Sequence, residues 1–431
     1  MPAASVNEKA GLRLILSDPA VRVVILIVFV VMLGFGIIAP ILPLYARSFG
    51  VSYQTASLLI AVFPFARLIF DPVAGPIIDR YGERRSAIVG VLIVGVSALL
   101  AGLAPTFLLA VLFRGAGGGG SAVFLAALYS YLLKVVPSER MARTLSVFYG
   151  SLNVGIIAGG PIGGFVAQTF GLASPLILYS GLCLVSAVLY VRFMRDAPGR
   201  TVADVGEPPS RGAEAIPLWR RLGRQIAVLL RTPAFATVLM LNVAFFWFVA
   251  GAYDTLVPLF AKEELGMSTV GVGVVFTIAV AAEFLVLYPT ASVADRTGRK
   301  RVVLPSMAAL AVLGAALGWA ASPIALGVLM ALVGLASGAV ASTPAAMLSD
   351  VAPPEDSGTA VGIFRFAGDL GFVLGPLVGG IVAGQYGFKA GFVVMGIPAV
   401  VALVFALRTP ETLKTDAAEG RREPVPASPL D

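Results

Sequence analysis

Twelve apolar runs of roughly twenty residues follow one another along this chain, at 22–45, 54–78, 84–103, 107–133, 143–168, 174–193, 234–260, 270–291, 300–320, 324–348, 360–383 and 388–407. About 20 such residues wound as an α-helix cross the hydrocarbon core of a bilayer. Lipid offers no partner to backbone N–H and C=O groups, so a spanning segment must be a helix or part of a closed barrel. The runs are continuous rather than alternating residue by residue, which predicts helices. The run 22–45 is too long for the core of a signal peptide and follows Lys9, Arg13 and Arg22, so it reads as an uncleaved first span. Composition agrees: 13% of the 431 residues are charged, against about 25% in soluble domains. The expected fold is an all-α integral membrane protein of twelve spans, numbered here in chain order.

Charge placement orients it. Of 31 Lys and Arg, 25 fall before span 1, after even-numbered spans or in the tail. Arg47, Lys262 and Lys389 lie on the opposite side, and Arg67, Arg114 and Arg365 inside spans. This asymmetry marks the cytoplasmic side, so both termini are expected in the cytoplasm. The net charge of +7 is then a topology signal, and no nucleic-acid partner is expected. The chain has no histidine and one cysteine, Cys183. Imidazole metal sites, Ser-His-Asp triads and intrachain disulfides are excluded, and neither a metal site nor an enzyme activity is expected.

An internal repeat divides the chain. Asp79-Arg80-Tyr81-Gly82 recurs 216 residues later as Asp295-Arg296-Thr297-Gly298, each followed by basic residues (Arg84 and Arg85, then Arg299, Lys300 and Arg301). The same offset relates Gly118 to Gly334, Pro137 to Pro353, Glu139 to Glu355, Gly155 to Gly371 and Gly164 to Gly380. The expected organisation is a six-helix bundle over 1–193, a cytoplasmic linker over 194–233, a second six-helix bundle over 234–408 and a disordered tail over 409–431. Eight arginines lie between Arg192 and Arg231, and Leu218, Leu222, Ile226 and Leu229 share one face of an amphipathic helix. That helix lies on the anionic leaflet or serves as a solvated linker.

Parallel six-span repeats are the layout of major facilitator transporters, whose substrate site lies near the midplane between halves. The motifs carry the same resemblance. Gly75-x-x-x-Asp79-Arg80-x-Gly82-x-Arg84-Arg85 resembles the superfamily's cytoplasmic loop motif, and its second copy has Ala291 in place of the glycine. Arg114-x-x-x-Gly118 resembles its span 4 motif. Gly371-x-x-x-Gly375-Pro376-x-x-Gly379-Gly380 in span 11 is similar to the glycine motif of proton-driven exporters, normally found in span 5. Span 5 itself keeps Gly155, Gly159, Gly163 and Gly164, with its proline at Pro161. Leu33-Gly34-x5-Pro40-x-x-Pro43 in span 1 is similar to twelve-span drug:proton antiporters. The resemblance implies alternating access in a bacterial inner membrane by a monomer with small-molecule substrates. It implies no cofactor beyond protons as coupling ion. It also implies that the loop motif latches the halves together; simple positive-inside anchoring is the alternative. For the span 5 and span 11 glycines the readings are closure of the interface between halves or close packing alone.

Seven charges sit inside spans: Arg67, Asp71, Arg114, Asp254, Glu283, Arg365 and Asp369. Each costs ~2.5–3.5 kcal/mol at the bilayer centre, so each should face a cavity or a partner. Arg67 with Asp71, and Arg365 with Asp369, are spaced i, i+4 and share a helix face. Spans 2 and 11 face each other in the family, which predicts a four-charge network that breaks and reforms. Glu283, alone near the middle of span 8, is the first candidate for proton coupling, followed by Asp71, Asp369 and Asp254. Span 1, where many drug:proton antiporters carry an acidic residue, has none. Candidates for substrate contact are Arg114, Asn242, Phe246, Tyr253, Asp254 and Glu283, the aromatic rings suiting flat or cationic compounds. The functional expectation is proton-coupled efflux of small hydrophobic or cationic compounds. The alternative is a symporter or facilitator importing a sugar or similar metabolite, which Pro410-Glu411-Thr412 favours and the scarcity of Asn and Gln in the spans opposes.

Overall fold

The structure is a computed structural model and describes residues 19–136, 138–194, 229, 231–353 and 357–413. Most of the expected amphipathic linker helix, the tail beyond 413, Pro137 and Glu355 lie outside these residues. Among the described residues every regular element is helical. Eleven helices are long and apolar enough to cross a membrane. The last, Ser357–Arg408, is two spans: it breaks at Gly387, whose φ of 82° suits only glycine. Twelve spans result.

The elements follow from local chemistry. Span 1 is split into Pro19–Ile38 and Leu42–Arg47, because Pro40 and Pro43 remove backbone donors there. Span 2 (Tyr53–Tyr81) and span 8 (Thr269–Thr297) are capped at equivalent positions: Ser52 Oγ accepts from Thr55 N at 3.3 Å, and Ser268 Oγ from Gly271 N at 3.1 Å. Gly82 (φ 80°) and Gly298 (φ 111°) turn the chain within one residue into span 3 (Glu83–Gly102) and span 9, which begins at Arg299. Span 4 is Phe107–Val135, span 5 Ser138–Phe170, span 6 Ser174–Phe193 and span 10 Pro323–Val351.

Span 7 (Pro233–Glu263) departs from regular geometry. Between two α-helical segments, Val249–Leu256 is wound as a wider π-helix. Pro258 just beyond it offers no N–H to the preceding turn, and its ring crowds the carbonyl four residues back, which is that of Asp254.

Buried apolar side chains fall into two main clusters, one over 21–194 and one drawn mostly from 229–402. The second also takes in Ala39, Ile41, Leu44 and Ala167 of the first half. These lie at the end opposite the basic loops, where the halves are packed together. There Thr269 Oγ1 donates to Gly164 O at 2.9 Å and Thr277 Oγ1 to Ile157 O at 3.1 Å. At the basic end the halves are parted. A Cβ built on Gly75 meets nothing within 4 Å, and Asp79, Arg80 and Tyr81 are exposed.

Candidate functional site

The four charges of spans 2 and 11 are brought together across the seam, each arginine with the carboxylate of the other half. Arg67 Nε donates to Asp369 Oδ2 at 3.0 Å and its Nη2 donates to Oδ1. Arg365 Nη2 donates to Asp71 Oδ2 at 3.3 Å, while Asp71 Oδ1 is buried without a partner. The Arg67–Asp369 pair is bidentate, which fixes orientation as well as charge.

The second half holds two carboxylates of another kind. Asp254, 6% exposed, lies in the π-helical segment of span 7. Glu283 Oε2 accepts from Ser337 Oγ of span 10 at 2.7 Å. Neither carboxylate forms an ion pair among the described residues.

The first half holds the opposite case. Arg114, 3% exposed, stacks its guanidinium 4.1 Å from the centroid of the Phe63 ring, and its Nε and Nη1 have no hydrogen-bond partner. Arg114 forms no ion pair among the described residues; Tyr179 and Cys183 lie near it.

Three residues expected to meet substrate are turned into the second bundle. Asn242 Nδ2 donates to Phe364 O at 2.7 Å, tying span 7 to span 11. Phe246 packs against Gly368 and lies 5.8 Å from Phe372, centroid to centroid. Tyr253, 1% exposed, meets Phe248 edge-on at 5.7 Å. In this conformation Asn242 and Tyr253 are buried, whereas Phe246 is half-buried.

The motif glycines divide by role. Gly155 and Gly159 seat span 5 on the span 1 backbone, and Gly371 and Gly375 seat span 11 on span 7 within the second half. Gly164 and Gly380 act between halves instead: a Cβ on Gly164 would lie 2.8 Å from Val270 Cα, and one on Gly380 2.7 Å from Ser57 Oγ. A Cβ on Gly379 would meet Met395 Cε at 3.2 Å and Leu256 Cδ1 at 3.5 Å. Pro161 lies inside the span 5 helix and Pro376 inside the helical stretch before the break at Gly387.

The two loop motifs differ. Asp79 forms no ion pair among the described residues, Arg80 stacks on its neighbour Tyr81, Arg84 Nη2 donates to Val191 O at 2.8 Å and Arg85 is exposed. In the second copy Arg299 binds both Asp295 and Asp350, the latter at 3.1 Å from its Nε, while Arg296 is exposed. Glu411, beyond span 12, accepts from the Arg299 and Lys300 amides at 2.9 and 3.1 Å. Burial pushes the Glu411 carboxyl up, but the amides of Leu413, Lys300, Arg299 and Thr412 outweigh this and hold it below its ordinary range.

The clasp at the far end was missed by sequence reasoning. Arg47 Nε donates to Glu263 Oε1 at 3.1 Å, Tyr53 Oη donates to Oε2, and the Arg47 guanidinium lies 4.5 Å from the Tyr53 ring centroid. The signal was present: Arg47 and Glu263 are 216 residues apart, opposite charges at equivalent span ends. Among the described residues no group of three His, Cys, Asp or Glu is placed to hold a metal ion.

Comparison with known proteins places this arrangement. Multidrug resistance protein 2 of Bacillus subtilis is 24% identical over 379 residues, covering 88% of this chain and 90% of that protein. Quinolone resistance protein NorA of Staphylococcus aureus is 22% identical over 250 residues, 58% of this chain and 60% of that protein. The crystal structure of a D-xylose–proton symporter superposes with a TM-score of 0.72 at 17% identity, covering 91% of this chain and 99% of that one, a likeness of fold. The family model described as Major Facilitator Superfamily matches residues 24–282 and 239–430. With two six-span halves parted at one end and clasped at the other, the chain belongs to the Major Facilitator Superfamily of transporters.

Proposed function

We propose that this transporter exports small hydrophobic or cationic compounds in exchange for protons. The basic end faces the cytoplasm of a bacterial cell, so the described conformation opens inward. The observation that carries the reading is the state of Asp254 and Glu283. Every charge at the span 2–span 11 seam has a counter-charge, whereas these two carboxylates have none. An ionised carboxylate inside an apolar bundle is costly until a proton or a cation neutralises it. A proton and a cationic compound competing for one pair of carboxylates is the elementary requirement of antiport. The names of the two relatives, both resistance proteins, support a drug-like substrate.

The alternating step follows from the parted and clasped ends. Releasing Arg47–Glu263 while span 2 slides off Gly380 of span 11 and span 8 off Gly164 of span 5 opens the far side. Closing the gap around Gly75 and Asp79 shuts the basic side. The test is purified protein in liposomes under an imposed pH gradient, with proton flux followed as lipophilic cations and sugars are added in turn. Lipophilic compounds should release protons, and Glu283→Gln should abolish the release. Proton flux driven only by a sugar, moving in the same direction as the sugar, would replace export with symport.

A further inference from the structure

Span 7 carries the buried Asp254 and, at its far end, Glu263 of the clasp; the π-helical stretch Val249–Leu256 includes the first and precedes the second. Such a stretch closes its hydrogen bonds five residues back instead of four, and it occurs mostly as a single wide turn inside an α-helix. Two donors show the wide register directly. Val257 N donates to Ala252 O, and Thr255 Oγ1 donates to Ala250 O at 2.7 Å. Threonine hydroxyls inside α-helices bond the carbonyl three or four residues back, so a bond five residues back is particular to the π register. Thr255 is fully buried, where a hydroxyl left without its acceptor is costly. Pro258 works in the same sense, because it has no N–H to give to Asp254 O, the bond that an α-helical turn there requires.

The two sides of the stretch are held differently. Before it, Gly371 and Gly375 seat the span 11 backbone directly on Val243 and Trp247. Beyond it, Val257–Glu263 is packed through rings, Phe260 meeting Phe388 and Phe392 edge-on at 5.7 and 5.6 Å, and ends in the clasp. Winding the wide turn back to 3.6 residues advances everything beyond it by one residue, about 100° of rotation. Ala261, 0% exposed, would then take the place of its exposed neighbour Lys262, and Glu263 would leave Arg47 and Tyr53.

Resting on the reading that release of Arg47–Glu263 opens the far side, we infer that span 7 turns between this π register and an α register. Thr255 is the positioning residue that holds the π register while the far side is closed. One rotation moves Asp254 and Glu263 together, so a single helix joins the buried carboxylate to the far-side clasp. The packed interfaces on either side admit two discrete arrangements rather than a continuum, which makes such a turn a switch.

The test is maleimide labelling of the full-length protein in liposomes, in a Cys183→Ala background. Ala261→Cys reports the register, and Ser57→Cys, fully buried against Gly380, reports far-side opening. Thr255→Val keeps the side-chain shape and removes the donor, while Pro258→Ala restores the N–H that the α-helical turn needs. Each should speed labelling at both reporters about fivefold, the shift that one hydrogen bond of ordinary net strength supports. Thr255→Ser, which keeps the hydroxyl, should label at the wild-type rate. Glu263→Gln should speed both reporters as well, since clasp and register are one device. If Glu263→Gln speeds Ser57→Cys but Thr255→Val and Pro258→Ala do not, the switch is overturned and the clasp reading stands. If Glu263→Gln leaves Ser57→Cys unchanged, the clasp reading falls and the switch with it. Labelling that rises at Ser57→Cys without Ala261→Cys overturns the rotation, and Thr255→Ser labelling as fast as Thr255→Val overturns the role of the hydroxyl. Native Cys183, 0% exposed, must stay unlabelled when each variant is made without the background change. Where a span 7 core variant exposes it, Glu263→Gln at its half-exposed position decides through Ala261→Cys.

Discussion

The cytoplasmic loop motif keeps its charges in both halves, whereas at four other positions, Arg47, Arg67, Glu83 and Lys134, the residue 216 places on carries the opposite charge (Glu263, Glu283, Arg299 and Asp350). Glu83 pairs with Lys134 at the ends of spans 3 and 4; in the second half the same two positions are Arg299 and Asp350, again paired and with signs exchanged. Arg47 and Glu263 are equivalent to each other, and they meet. The physical sense lies in the pseudo-two-fold relation. A patch facing its own copy would oppose like charges, so the sign reversal turns repulsion at the axis into the far-end clasp. Within one half, reversing both partners together leaves the attraction unchanged.

Two pairs break the pattern: Asp71 and Arg365, whose equivalents are the uncharged Leu287 and Tyr149, and the pair beside them. Arg67 finds Asp369, but the equivalents of those positions are Glu283 and Asn153. With an amide where a cation would complete the symmetry, Glu283 has only Ser337, and Asn153 Nδ2 donates instead to Tyr149 O. The proposed coupling site is thus a place where a charge of the second half lacks the partner that its twin has.

That comparison can be broken experimentally. The largest effect is expected from completing the missing pair: Asn153→Arg should neutralise Glu283 and reduce gradient-driven transport about 100-fold, or ~2.7 kcal/mol. Wild-type proton flux in liposomes carrying this variant would separate Glu283 from the coupling. Next comes the pair already made. Arg67→Glu leaves carboxylates facing each other at the seam and should cost about 3 kcal/mol of stability, with Asp369→Arg in the same chain restoring most of it. Thermal unfolding of the single and double variants in detergent decides this, and no recovery in the double variant would mean that position, not sign, holds the seam.

A smaller shift is expected at the clasp, where Arg47 and Glu263 are 31% and 29% exposed. A pair that open contributes up to about 1 kcal/mol, so Glu263→Gln should raise the far-side-open population up to about fivefold. Maleimide labelling of Ser57→Cys in a Cys183→Ala background reports it, and unchanged labelling would leave the closure to Gly164 and Gly380 alone. The smallest effect concerns Glu411. Its carboxyl titrates below the ordinary range in the folded chain, so its contribution is fully present above about pH 4.3, the unfolded value, and is lost as pH falls through the folded one. Glu411→Gln should flatten that part of the stability profile between about pH 5 and 3. A profile identical to wild type would show that the cap on span 9 is not energetically coupled to folding.

The fold was legible because its causes are local and additive. Continuous apolar runs dictate spans in any order of packing, and Gly82 and Gly298 announce their turns by residue type alone. The in-span charges were legible for the same reason, since each is too costly to be incidental. The four-charge network of spans 2 and 11 was expected from the resemblance, but not which carboxylate each arginine takes. Arg67 shares a helix face with Asp71, yet it meets Asp369, because a seam between two halves offers a closer and drier carboxylate than the next turn does. Arg114 shows the converse, an in-span charge that forms no ion pair among the described residues.

Spans, their number, the repeat and the seven in-span charges belong to the sequence by itself, because they depend on hydrophobicity and on residue types at fixed spacing. Which charges pair, which glycines close the seam and which polar side chains are consumed by packing were decided only in the tertiary structure. Asn242 and Tyr253 are polar and well placed along span 7, but one π-helical turn beside Pro258 and the close seating of span 11 send them inward. A helix rotated by a single extra residue per turn presents a different face to its neighbours, and composition carries no record of that rotation.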